Sequence, residues 1–123
     1  MHRYSNLQVW QKAIDLAIMV YQATEKLPKE EKYGLISQIN RAAVSIPSNI
    51  AEGAGRNTKR DFDHFLSVAL ASSFELDTQL IISNRLKFIG DDKFNQIETE
   101  LKHIQNMLVK LKNSLNNYKP TST

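Results

Sequence analysis

Cysteine is absent from this chain of 123 residues. Disulfides, thiolate chemistry and Cys-ligated zinc are therefore excluded, and a reducing cytoplasm is the expected setting. No apolar run approaches the roughly 20 residues that a helical membrane span needs. The N-terminal Met1-His2-Arg3-Tyr4-Ser5-Asn6 lacks the apolar stretch of a signal peptide. Strand-like alternation, internal repeats and low-complexity linkers are missing too. Charge of one sign is scarce: 16 Lys and Arg face 13 Asp and Glu, a formal net charge of +3. The pI near 9.2 overstates that balance. A nucleic-acid binder concentrates its basic residues in a patch, so clustering matters more than the sum.

What is present is the composition of a soluble globular protein, 41% hydrophobic and 24% charged. Four segments repeat apolar residues at helical spacing. The first runs from about Leu7 to Lys26, with Ser5 as N-cap and Gln8 completing a capping box. Its stripe is Leu7, Trp10, Ala13, Ile14, Leu16, Ala17, Val20 and Tyr21, with Val9 and Ile18 at the margins. The stripe covers an arc of roughly 200°, where one core contact needs little more than about 100°. Leu27-Pro28 ends this helix.

The second helix is expected from Lys29–Tyr33 to about Gly53, with Ile36, Ile39, Ala43, Ile46 and Ile50 inward. Pro47 removes one backbone hydrogen bond, which predicts a kink or a break, and the continuing stripe favours a kink. Gly53 to Asn57 forms a turn, and Thr58 caps the third helix. Its stripe is Phe62, Phe65, Leu66, Ala69, Ser73, Leu76 and Leu80, and small Ala69, Ser72 and Ser73 allow close helix approach. Gly90 is the expected C′ residue, and Asp91-Asp92 cap the fourth helix. Phe94, Ile97, Leu101, Ile104, Leu108, Leu111 and Leu115 form an a/d heptad there. These features predict an all-α fold: one antiparallel up-and-down four-helix bundle over residues 1–123, with 118–123 a frayed tail.

Catalytic chemistry finds little support. Glu100-Leu101-Lys102-His103 matches the Glu-x-x-His element of di-metal bundles, and Asp61-Phe62-Asp63-His64 nearly does. The heptad register turns His103 to solvent, however. His2, His64 and His103 lack evident partners for a nucleophilic triad. Gly53-Ala54-Gly55 follows a helix, not a strand, and is neither a dinucleotide fingerprint nor a P-loop. The expectation is no enzyme, no metal and no cofactor.

Two polar constellations remain. Gln38, Arg41, Ser45, Ser48 and Glu52 share one face of the second helix, with Asn49 beside it. A turn centred near Asn57 brings Arg41 level with Ser73, so Arg41 and Glu75 should approach, within one chain or across a subunit contact. Such polar stripes are usually solvated faces. The other constellation is Arg56, Lys59 and Arg60 at a helix N-terminus, where free N–H groups and the dipole favour phosphate. Asp61 and Asp63 blunt that field. Lys102, Lys110, Lys112 and Lys119 add basic residues with no acid after Glu100, and a solvated face is the plainer reading of them.

The stretch Tyr33-Gly34-Leu35-Ile36-Ser37-Gln38-Ile39-Asn40-Arg41-Ala42-Ala43-Val44-Ser45-Ile46-Pro47-Ser48-Asn49-Ile50-Ala51-Glu52-Gly53 is distinctive. It resembles the signature of the 23S rRNA intervening-sequence protein family, also called four helix bundle protein. The likeness extends to Leu7–Ala13, to Phe65–Ala69 and to Ser72–Leu76. The resemblance implies a bacterial antiparallel four-helix bundle and a homopentamer. It also implies similarity to the accessory variability protein of diversity-generating retroelements, a basic barrel that partners a reverse transcriptase and nucleic acid. The family motif maps onto Gln38, Arg41, Ser45, Pro47, Ser48, Asn49, Glu52 and Gly53, and its acidic helix 3 position onto Glu75. No catalytic role comes with these residues. Where many members carry a second basic residue before the motif arginine, this chain has Asn40.

Two functions follow. The first is a homo-oligomer bound to structured RNA or a ribonucleoprotein, with phosphate contacts from Arg56, Lys59, Arg60, Lys110 and Lys112. The alternative is a scaffold whose oligomeric barrel recruits a protein partner without touching nucleic acid. It rests on the wide arc of the first helix and on off-stripe Val44, Phe74 and Ile82. Neither involves a membrane.

Overall fold

A computed structural model describes residues 2–116. The tail expected over 118–123, and with it Lys119, lies outside the described residues. Four helices account for the fold: α1 (Gln8–Thr24), α2 (Leu35–Ala54), α3 (Lys59–Arg85) and α4 (Asp91–Asn116). Short 3-10 turns at Tyr4–Asn6 and Lys29–Glu31 lead into the first two. The described residues are all-α, as the periodicity predicts.

Side-chain links between neighbouring helices fix their directions. Thr24 near the end of α1 donates to Asn40 Oδ1 early in α2 at 2.9 Å. At the opposite end the His2 N–H reaches Ala54 O at 2.7 Å. Ser45 and Ser72 share a 2.8 Å hydrogen bond across α2 and α3, and Gly53 meets Phe65 a few turns nearer the connecting turn. Lys112 late in α4 bonds Asp63 early in α3 at 2.8 Å. Each consecutive pair is therefore antiparallel. The inward stripes meet along one axis, where Leu16, Ile46, Ile50, Phe62, Leu80 and Leu101 are fully buried.

Helices α2 and α3 form the tightest pair. A Cβ on Gly53 would sit 2.8 Å from Phe65 Cβ, closer than packed atoms lie, and a tight 3.2 Å from Phe62 O. Ala69, Ser72 and Ser73 are buried along the same contact. Their small size lets the backbones approach, as the sequence suggests.

Several local expectations need correction. Ser5 is not the cap of α1; it lies inside the first 3-10 turn, and Leu7 precedes the helix without a side-chain cap. Gln11 Nε2 instead donates to Ser5 O at 2.9 Å, tying turn to helix. Helix α2 begins at Leu35, later than expected, because Gly34 adopts φ −110° and ψ −106° and interrupts the chain. It then runs unbroken through buried Pro47. Gly90 is not a left-handed C′ residue; Lys87, at φ 65°, takes that conformation after α3. Gly90 O instead accepts from Phe94 N at 2.9 Å at the start of α4. Asp91 serves as an acceptor for Asn84 Nδ2 at 2.9 Å, which ties the end of α3 to α4. Val9 is buried in the core, not marginal to it. Thr58 caps α3 as expected, with its Oγ1 accepting from Asp61 N at 3.1 Å.

Helix α3 holds an 18-residue window of mean hydropathy 1.3, so by length and composition it could cross a membrane. Serines interrupt its apolar residues, so no continuous run shows in the sequence. Phe62, Leu66, Ala69, Leu76 and Leu80 of this helix face the bundle core.

Candidate interaction surfaces

The fold gathers basic residues at the end of the bundle that holds the α2–α3 turn. Arg56, Lys59 and Arg60 project there and are exposed. Arg3 is brought alongside by the bond from the His2 N–H to Ala54 O, and the His2 ring stacks on Phe62 at 5.1 Å. The last turns of α4 deliver Lys112, and exposed Lys110 stands half a turn before it. Arg56, Lys59, Arg60 and Lys112, widely separated in sequence, thus stand at one end of the bundle with Arg3, whereas Lys110, two residues before Lys112, points to the other side of α4.

Their charges are not all available. Arg56 pairs with Glu52 at 2.8 Å and lies over the Phe65 ring at 4.7 Å. Lys112 Nζ bonds Asp63 Oδ1 at 2.8 Å and also Ser67 Oγ. Asn116 Nδ2 donates to the same Asp63 oxygen at 3.0 Å. The Lys112 hydrogen bond, aided by Asn116 and opposed by burial, lowers the Asp63 pKa below its ordinary value. Asp63, expected with Asp61 to blunt the field of Arg56, Lys59 and Arg60, pairs with Lys112 from a helix that only the fold brings near. Arg60 and Lys110 remain exposed with no ion pair among the described residues.

The polar stripe of α2 divides into three parts. Ser45 turns inward to Ser72, and Asn49 Nδ2 donates to Ser45 O at 2.8 Å and Ser45 Oγ at 3.0 Å. Glu52 is held by Arg56. Gln38, Arg41 and Ser48 are exposed. The Ser45–Ser72 contact sets Arg41 level with Leu76, not with Ser73 as a turn centred on Asn57 implies. Glu75 is then one residue from level. Arg41 and Glu75 form no ion pair or hydrogen bond within the described chain, and both are exposed. Asn40 accepts the Thr24 hydrogen bond and joins α1 to α2.

Beside this stripe lies an open apolar groove of about 920 Å³ between α1 and α2. Trp10, Ile14, Ile18, Tyr21, Val44 and Pro47 form its walls. A smaller hollow of about 380 Å³ extends it past Tyr21 toward Leu27 and Ile36. The wide apolar arc of the first helix foreshadows the groove. The contribution of α2 was not legible, because Val44 and Pro47 fall outside or across its stripe. A separate apolar ridge crosses the outer face of α3, where Phe74 is 53% and Ile82 45% exposed.

The metal-like motifs do not converge. His103 is exposed on α4, as the heptad register predicts, and Glu100 is half-buried beside it. Asp61 and His64 are exposed on α3. Among the described residues no three His, Asp or Glu side chains lie together in a group that could hold a metal ion. A different acidic pair, Asp77 with Glu98, does meet between α3 and α4. Nothing in the sequence singles it out, because the two residues are on different helices.

The sequence model of a family described as 23S rRNA-intervening sequence protein matches residues 5–110. Among solved structures, the chain is similar to a protein of unknown function from the S23 ribosomal protein family of Bacteroides thetaiotaomicron. The two are 25% identical with a TM-score of 0.79, over 85% of this chain and 97% of that one. No curated protein matches the chain.

Proposed function

The chain belongs to the 23S rRNA-intervening sequence protein family, and from that premise we propose that it is a non-enzymatic, self-assembling bundle that binds structured RNA or a ribonucleoprotein. The observation that carries this reading is the basic end of the bundle. Arg3, Arg56, Lys59, Arg60 and Lys112 stand at that end with Glu52, Asp61 and Asp63, and the cations outnumber the acids. Three segments distant in sequence supply them, which supports a basic patch that the linear sequence does not display. Phosphate contacts need such a patch. No cofactor enters the proposed role, and the bacterial cytoplasm is its natural setting.

Assembly multiplies the patch. A modest charge on one subunit becomes a continuous basic surface when copies are arranged side by side. If the helix 2 motif does carry a likeness to the accessory variability protein of diversity-generating retroelements, that assembly is a pentamer. Gel shifts with 23S rRNA fragments test the reading. A complex is expected at low salt, and its affinity should fall steeply as salt rises. Absence of any salt-sensitive complex would remove the reading.

The apolar groove favours a second role, a scaffold that recruits a protein partner without nucleic acid. An apolar groove edged by polar residues such as Gln22, Glu25, Ser48 and Glu52 suits a protein contact. A mixed-sign surface on the assembled oligomer, with no RNA shift, would select this role over the first.

A further inference from the structure

We propose that the groove between α1 and α2 receives the outer ridge of α3 from a second copy of this chain, with Arg41 of one copy paired to Glu75 of the next. The inference rests on the self-assembly proposed above and specifies which surfaces meet. One chain carries two apolar features on different faces, a concave one lined by Ile18, Tyr21 and Val44 and a convex one built by Phe74 and Ile82. Neither is covered within the described chain. A groove on one face and a ridge on another make a heterologous contact, which closes into a ring or propagates as a filament.

The register supports the match. Ser45 is level with Ser72, so Val44 is level with Ser73 and Phe74, and Arg41 with Glu75 and Leu76. If the bundle axes run parallel to the symmetry axis of a closed ring, neighbouring copies stand at equal height. Phe74 of one copy then arrives at Val44 of the next. From Phe74 to Ile82 the α3 ridge rises about 12 Å. From Val44 back to Ile36, where the smaller hollow lies, α2 covers the same distance of about 12 Å in the same direction, since the two helices are antiparallel. Ile82 is therefore aimed at the hollow beside Ile36.

Charge agrees with shape. At that register Glu75 of the incoming ridge lies beside Arg41, which stands one turn from groove-lining Val44 on α2. These two exposed residues form no ion pair within the described chain. Arg41 is the one arginine of α2, so the ridge brings its carboxylate to that residue of the wall helix. A charge pair at a rim contributes orientation and register more than affinity.

The absence of native cysteine makes the contact directly testable. Val44→Cys and Phe74→Cys chains, differently tagged, are co-expressed and oxidised. The proposal expects a disulfide-linked dimer carrying both tags, and little crosslinking when either variant is expressed alone. Arg41→Glu is expected to lower the assembly mass by light scattering, and adding Glu75→Arg to restore it. Both sites are exposed, so these chains should fold, and circular dichroism checks that they do. A monomeric wild-type chain overturns self-assembly itself, and this contact with it. An oligomeric wild type that crosslinks Val44→Cys to itself, or crosslinks neither way, overturns this contact and leaves assembly standing.

Discussion

Asp77 and Glu98 meet across the α3–α4 contact as two carboxyls that together lack one hydrogen-bond donor. Asp77 Oδ1 and Glu98 Oε2 are both buried without a partner. A single proton shared between the side chains supplies the missing donor. Burial first, and the hydrogen bond with Asp77 second, push the Glu98 carboxyl up to about 7. Lys102 opposes this from 3.8 Å, but its side chain is 63% exposed and water screens it.

This pair makes stability depend on pH. Folded Glu98 keeps its proton up to about 7, while the unfolded chain releases it near 4.5. The folded state therefore binds more protons between those values, and stability falls as pH rises through them. Urea midpoints should drop from about pH 5 to about pH 8. Glu98→Gln should flatten that slope and raise the midpoint at pH 8 by ~1 kcal/mol equivalent, because its amide donates to Asp77 at every pH. Asp63 acts oppositely and at lower pH: the stability it contributes is present above 3.8 and is lost as pH falls through its depressed value. Parallel pH profiles for wild type and Glu98→Gln would show that no proton is shared.

Gly53→Ala sets two effects against each other. Alanine favours a helix over glycine by about 1 kcal/mol. The new Cβ, however, meets Phe65 Cβ at 2.8 Å and the Phe62 carbonyl at 3.2 Å. The second contact is backbone and can yield only if α2 and α3 separate. Overpacking of this kind costs roughly 1–3 kcal/mol, so the expected net effect is destabilisation, read as a lower urea midpoint with an unchanged m-value. A higher midpoint would mean that the helices can part cheaply.

Ser45→Ala tests the polar link between the same helices. It removes the partner of Ser72 Oγ and one acceptor of Asn49 Nδ2. The cost should be on the order of 1 kcal/mol. Ser45→Ala with Ser72→Ala should cost less than the sum of the single variants, because the pair is lost once. Additivity within error would show that the hydroxyls do not depend on each other.

The bundle was legible because apolar spacing reports directly on burial. The heptad from Phe94 to Leu115 points to the core, and so does the stripe from Phe62 to Leu80 except Phe65, which is half-buried against Arg56 and His64. Local chemistry was less legible. Ser5 looks like a cap, but Gln11 claims its carbonyl and the chain turns before the helix begins. Gly90 looks like a helix stop, but Lys87 takes the left-handed conformation. Links across helices were least legible, because no spacing within one helix predicts them. Lys112 with Asp63 and Asp77 with Glu98 exist only once the helices have docked.

The basic end should divide its residues between two roles. Arg60 and Lys110 are exposed without an ion pair among the described residues, whereas Lys112 is held by Asp63, Ser67 and the packing of α4 on α3. A lysine already neutralised within the chain releases few counterions when phosphate arrives. Each fully engaged cation changes the slope of log affinity against log salt by about one. Arg60→Ala and Lys110→Ala should therefore each lower the slope measured on an rRNA fragment by up to about one unit per site. Lys112→Ala should leave the slope nearly unchanged and cost under ~1 kcal/mol of stability, since its pair with Asp63 is partly exposed. Equal slope losses for all three variants would mean that RNA breaks the Lys112–Asp63 pair and recruits the lysine for itself.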